Sequence, residues 1–174
     1  MNGLLDNDAV ALRALEPTDI DLLYKWENDT TLWTVSSNIA PYSKEMIANY
    51  LKNNSNDIYK TGELRLIVTL APTGEAVGTV DFTSFDPINN HAELGLLIAP
   101  QFQGKGYGKQ VLQLVKEYAC NCIGLRQLYV LIPDDNKACL TLFSNDGFQE
   151  SGLLKSWIRR GRNYIDVHLL QHIF

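Results

Sequence analysis

The stretch Gln103-Gly104-Lys105-Gly106-Tyr107-Gly108-Lys109 decides how the rest of this chain is read. It lies between a β-like run, residues 92–98, and an amphipathic run, residues 108–123. Three glycines at alternate positions let the backbone adopt φ values that other residues avoid and approach a ligand closely. The helix that follows presents N–H groups without internal partners, at the positive end of its dipole. Lys105 and Lys109 add positive charge. Such a loop is suited to an anionic phosphate or diphosphate. Two commoner phosphate loops do not fit. A P-loop places four residues between its glycines, then Lys and Ser or Thr. Here three residues separate Gly104 from Gly108, and Gln110 follows Lys109. In the dinucleotide fingerprint the third glycine would fall one residue later.

Working outward, residues 64–70 and 76–85 read as strands joined by the turn Ala71-Pro72-Thr73-Gly74, which makes a hairpin. Asp86-Pro87-Ile88-Asn89-Asn90 is a loop before the strand at 92–98. Upstream, residues 9–15 read as a strand. Pro17-Thr18 then opens a helix, with Thr18 as N-cap and Ile20, Leu22, Leu23 and Trp26 as its apolar stripe, fading at Asn28-Asp29. Ser43 is a second N-cap, ahead of Met46, Ile47, Tyr50 and Leu51 at helical spacing. Downstream, Val111, Leu114, Val115, Tyr118, Ala119 and Cys122 share one helix face, and Gly124 stops that helix. Residues 127–132 form a strand. Asp135 or Asn136 caps a short helix through Leu142 and Phe143, stopped by Gly147. Strands at 148–157 and 164–170 meet across Arg160-Gly161-Arg162. The order β–α–α–β–β–β–α–β–α–β–β is a mixed α/β order of the α+β type, not the strict alternation of a doubly wound sheet.

The 174 residues fit one domain, residues 1–174, and no repeat or linker divides them. Fifteen Lys and Arg against 20 Asp and Glu give a net charge of −5, which argues against a general nucleic-acid binder. The three cysteines, Cys120, Cys122 and Cys139, include no CxxC pair and have no His cluster nearby. They are expected to be reduced, buried thiols, with no metal site. The opening MNGLLDNDAV is not a signal peptide, and no run of residues has the length of a membrane span. A cytoplasmic location is expected.

Gln103-Gly104-Lys105-Gly106-Tyr107-Gly108 resembles the Q/R-x-x-G-x-G/A motif of the GCN5-related N-acetyltransferases, the GNAT superfamily. The resemblance runs through essentially the whole chain. Leu12-Arg13, Pro17-Thr18-Asp19 and Trp26-Glu27-Asn28-Asp29 look like the opening of the branch that holds ribosomal-protein N-terminal acetyltransferases and spermidine N-acetyltransferases. Asn136-Lys137-Ala138 and Gly147-Phe148 are similar to the N-x-x-A…G-F helix of the family. The resemblance implies a centrally splayed mixed sheet of about seven strands, flanked by about four helices. It implies acetyl-CoA as co-substrate, with its diphosphate on residues Gln103, Gly104, Lys105, Gly106, Tyr107, Gly108 and Lys109. Backbone groups of Leu96, Leu97 and Ile98 are expected to pair with the pantetheine arm as an added strand would. Asn136 is expected to touch that arm as well as to cap its helix, and Phe143 to pack beside the thioester.

The family runs a direct attack of a neutral amine on the thioester. This needs a route for the ammonium proton, a donor to the carbonyl oxygen and a proton for the sulfur. The resemblance puts the oxygen donor on a backbone N–H near Leu97 or Ile98. The usual proton donor, a Tyr seven residues after the Asn, is Phe143 here, which donates nothing. Ser144 is the nearest hydroxyl, about 100° away on a helix. Glu93, set among Ala92, Leu94 and Leu96, is the candidate base or amine anchor, with Asp81 as a second acidic group. Trp33, Tyr42, Phe82, Phe85, Trp157 and Tyr164 are candidate pocket aromatics, of which two or three are expected at the site. Arg159, Arg160 and Arg162 read as a solvated hairpin tip. The expected activity is acetyl transfer to a primary amine of a small molecule or a protein N-terminus. The alternative, suggested by Phe143, is an acyl-CoA-binding module with weak or no catalysis. Nothing favours an aminoglycoside acceptor. The state of association, including a homo-oligomer, stays open.

Overall fold

The computed structural model describes residues 3–36 and 38–174, so Met1, Asn2 and Ser37 lie outside the described residues. Seven strands form one sheet: β1 (Val10–Ala14), β2 (Leu64–Leu70), β3 (Ala76–Asp86), β4 (His91–Ile98), β5 (Gln127–Pro133), β6 (Gln149–Arg160) and β7 (Asn163–Ile173). Their spatial order is β1-β2-β3-β4-β5-β7-β6. Every pairing is antiparallel except β4 with β5. That parallel pairing is short. It runs from His91 opposite Gln127 to Glu93 opposite Tyr129 and then stops, so the two strands part towards Ile98 and Pro133. The expected splayed sheet is therefore present. Strand β7 lies between β5 and β6, so only the first of the two late crossovers gives a parallel pair.

Four helices of eight residues or more are found among the described residues: α1 (Ile20–Glu27), α3 (Lys44–Asn53), α5 (Tyr107–Tyr118) and α6 (Lys137–Asn145). Two one-turn helices, α2 (Trp33–Ser36) and α4 (Ile58–Thr61), carried no periodicity that the sequence reading could use. The N-cap of α1 is Asp19 rather than Thr18, because residues 17–19 form a tighter 3₁₀ turn first. Ser43 caps α3, its Oγ accepting from the Met46 N–H at 3.1 Å. Strand alternation then divides the core into two layers. Val80, Phe82, Leu94, Leu128 and Val130 face α5. Ile67 faces α1 and α3 with Leu23, Trp26 and Ile47. Helices on both faces shield the sheet, and the parting of β4 from β5 lies between them.

The cysteines depart from expectation. Cys120 and Cys122 are exposed and only Cys139 is half-buried, all three free. After Tyr118 the helix widens into a π turn over Ala119–Ile123. The wider turn changes the phase of the helix, so Ala119 and Ile123 are buried while Cys122 faces solvent.

Candidate active site

Gly104 and Gly106 have φ of +75° and +82°, and Gly106 is the N-cap of α5. A Cβ at either would meet nothing within 4 Å, so the backbone faces open space there. Gly108 has a different role: a Cβ would come within 3.0 Å of Leu142 Cδ2, so its small size lets α5 pack on α6. Among the described residues, the main-chain N–H groups of residues 104–109 donate to no acceptor elsewhere in the chain. These amides, the lack of Cβ atoms and the start of α5 form a cradle that fits a diphosphate. Lys109 lines the same space, while Lys105 stands over the Phe102 ring at 5.4 Å.

The cradle opens into a cavity of about 760 Å³ that lies between the end of β4 and α6, where β4 has parted from β5. Its wall includes Leu96, Leu97, Ile98, Gln103, Tyr107, Asn136 and Phe143. The Ala99 N–H donates to the Val77 carbonyl at 2.8 Å. Alternation along the antiparallel β3–β4 ladder then turns the main-chain groups of Leu97 to β3, and those of Leu96 and Ile98 to the gap. Of the two residues expected to hold the oxygen donor, only Ile98 has its N–H on the open side. Leu97 contributes its side chain. The Ile98 carbonyl is already used, accepting from Gln103 Nε2 at 2.8 Å.

Asn136 caps α6, with Oδ1 accepting from the Cys139 N–H at 3.2 Å, which leaves its Nδ2 for the cavity. Phe143 is 2% exposed and lies edge-on to Phe148, with ring centroids 4.9 Å apart. Ser144 is exposed and lines neither this cavity nor the one under α1 and α3, because one step along α6 turns it away from Phe143. The structure does not bring it to the reaction centre. Cys139 also lines the cavity, where burial pushes its thiol up to about 11. Arg160 is not a solvated tip residue. It reaches back from the hairpin, donating from Nε to Asp135 Oδ2 at 3.1 Å and from Nη2 to the Thr34 carbonyl at 2.5 Å, and lines the cavity.

A second cavity, of about 520 Å³, lies between the sheet and helices α1 and α3. It shares Leu32, Leu96 and Leu97 with the first. Of the six candidate aromatics, Tyr42 and Phe82 line it. Phe85 packs on Tyr59, Trp33 donates to the Glu27 carbonyl, and Trp157 and Tyr164 are exposed on the last hairpin. Asp81 lines it as expected, but the pairing of Asp81 and Glu27 with Arg65 was not foreseen. Nothing in the local pattern of residues 27, 65 or 81 signals that they meet. Glu93 lies opposite Thr83 on β3 and Tyr129 on β5, beside this cavity rather than in its wall. Burial raises its carboxyl above the usual range.

A family model described as acetyltransferase (GNAT) domain matches residues 10–149. An uncharacterized N-acetyltransferase (p20) of Bacillus licheniformis is 26% identical over 166 residues, covering 95% of this chain and 93% of that one. Spermidine N(1)-acetyltransferase of Escherichia coli K12 is 25% identical over 170 residues, covering 94% and 87%. A crystal structure of spermidine N-acetyltransferase from Vibrio cholerae in complex with CoA and spermine superposes with a TM-score of 0.86 at 24% identity, covering 96% of each chain. The glycine cradle, the parted strands and the matched domain lead to one assignment: this chain belongs to the GNAT acetyltransferase family and is an acetyl-CoA-dependent N-acetyltransferase.

Proposed function

We propose that the chain, acting as one domain, transfers the acetyl group of acetyl-CoA to a primary amine of a small molecule or a protein N-terminus by direct attack. The observation that carries this reading is the meeting of two cavities at one stretch of β4. Leu32, Leu96 and Leu97 form the wall common to the space below the glycine cradle and the space under α1 and α3. A thioester in the first and an amine in the second would face each other there, and such placement supplies much of a transfer rate.

The co-substrate supplies an activated acetyl thioester. Residues 104–109 hold the diphosphate through their amides, and Leu96 offers its main-chain groups to the arm. The Ile98 N–H polarises the carbonyl oxygen. The amine nitrogen bonds to the carbonyl carbon as the carbon–sulfur bond breaks, the coenzyme leaves as thiolate, and the nitrogen gives its second proton to solvent as the amide forms. Glu93, with its raised pKa, takes the ammonium proton through solvent beside Thr83. Phe143 gives the sulfur no proton. A free thiol with pKa ~8.5 makes thiolate a tolerable leaving group, so transfer proceeds without that acid, more slowly.

Thiol release on a panel of primary amines tests the reading. Amine-dependent release is expected. Binding of acetyl-CoA without release on any amine would favour the alternative, an acyl-CoA-binding module. The three free thiols suit a reducing compartment, which supports a cytoplasmic location; among the described residues no helix is long and apolar enough to cross a membrane.

A further inference from the structure

The cavity under α1 and α3 already contains a cation of its own. Its charged lining residues, among those described, are Glu27, Glu63, Arg65 and Asp81. Arg65 Nη1 lies 2.7 Å from Glu27 Oε1, and Arg65 Nε donates to Asp81 Oδ1. The three side chains keep only 26%, 22% and 21% of their exposure, in the order Arg65, Glu27, Asp81. Burial works against the guanidinium charge, but Asp81 and Glu27 more than offset it and hold its pKa above the ordinary value. Tyr50 stacks with it, its ring centre 5.8 Å from the guanidinium carbon. The second oxygens of the two carboxylates are also engaged. Asn38 Nδ2 donates to Glu27 Oε2 at 2.9 Å, and Thr79 Oγ1 lies 3.4 Å from Asp81 Oδ2. The remaining acid, Glu63, is exposed.

Buried Glu27 and Asp81, with the guanidinium between them, leave a single negative charge in the shielded part of the cavity, which balances one ammonium; Glu63, the other acid of the lining, is exposed and its charge is screened by solvent. An aliphatic polyamine brings several cations along a flexible chain, and the place where a second would be stabilised is taken by Arg65. The other walls are apolar or aromatic, with Trp26, Tyr42, Met46, Phe82 and Leu97 among them.

Resting on the acetyltransferase reading above, we infer that the acceptor is a monoamine with an apolar or aromatic body, and that Arg65 excludes polyamines by occupying their second cation position. The relatives named for spermidine would then share the fold and not the acceptor.

The test is calorimetric binding of 2-phenylethylamine and spermidine to the CoA-bound protein, with wild type and Arg65→Met. Wild type should bind phenylethylamine at least ~10-fold tighter than spermidine, a gap of about 1.4 kcal/mol. Arg65→Met frees both carboxylates and should shift the ratio towards spermidine by ~10-fold or more. Spermidine binding wild type as tightly as phenylethylamine, or neither amine binding, overturns the inference. So does an unchanged ratio in a folded Arg65→Met. If that variant does not fold, the wild-type ratio decides alone. Thiol release on the wider amine panel is read separately, so loss of the acetyltransferase reading would be distinguishable from a wrong acceptor class.

Discussion

Replacing Gly106 with Ala probes the diphosphate cradle directly. Gly106 sits at φ +82°, and a Cβ there meets no atom within 4 Å. The free protein therefore loses only the strain of a left-handed residue, about 1–2 kcal/mol. For a chain of this size that lowers Tm by roughly 2–8 °C. Binding should lose more. Relaxing that strain turns the amides on either side out of their common direction. A hydrogen bond to a charged group contributes ~1.5–3 kcal/mol, so losing two raises Kd by at least ~100-fold. Acetyl-CoA at about 100 times the wild-type Kd stabilises the wild type by ~2.7 kcal/mol and this variant by ~0.4 kcal/mol at most. The assay is a thermal melt with and without acetyl-CoA, repeated with S-acetylpantetheine, which carries the thioester and no diphosphate. The acetyl-CoA shift should nearly vanish in Gly106→Ala, while the acetylpantetheine shift should match wild type. A full acetyl-CoA shift in the variant, or equal loss with both ligands, would refute the cradle.

Phe143→Tyr should raise turnover by ~10-fold or more, towards the lower part of the range of a general acid, if the new hydroxyl reaches the sulfur. An unchanged rate with intact acetyl-CoA binding would remove Phe143 from the donor's place. Asp19 accepts from Arg13 Nη1 and Nη2 at 2.7 and 2.8 Å and from the Glu16 N–H at 2.8 Å. The Arg13 hydrogen bonds hold its pKa below the usual carboxylate range. The stabilisation is present above the unfolded pKa of about 4 and lost as pH falls through the lower folded value. Arg13 is 37% exposed, which screens the pair, so Asp19→Ala should cost about 2 kcal/mol at pH 7, with a smaller deficit near pH 3 in urea melts. His168 contacts Asp134 and Glu150, each at 2.9 Å, and these partners raise its pKa. This contribution is complete below about pH 6.5 and lost as pH rises through the folded value. Wild type should therefore lose more Tm than His168→Gln between pH 6 and 9, and parallel curves would sink the assignment.

Much of the fold was legible because its signals are local. The helix cap at Ser43, the stops at Gly124 and Gly147, and the hairpin turn at residues 71–74 depend on neighbouring residues only. Elsewhere the fold overrides local rules. The π turn at Ala119–Ile123 changed the helix phase, and the 3₁₀ turn at residues 17–19 moved the cap from Thr18 to Asp19. At the site, the glycine turn before α5 and the helix cap at Asn136 were legible. Ser144 was not brought in, because a helix turns each successive side chain about 100°. The choice between Leu97 and Ile98 as oxygen donor was not legible, because which main-chain groups face the gap depends on ladder register.

By itself the sequence determined the glycine turn before α5, the order of elements and the missing Tyr, since glycine conformation, hydrophobic period and residue identity are properties of short segments. Only the tertiary structure decided that β4 parts from β5 after Glu93, that Arg160 returns to Asp135, and that Arg65 lies between Glu27 and Asp81. Those contacts join residues far apart in the chain. Their geometry is set by sheet register and by helices packed across the sheet, which no short segment encodes.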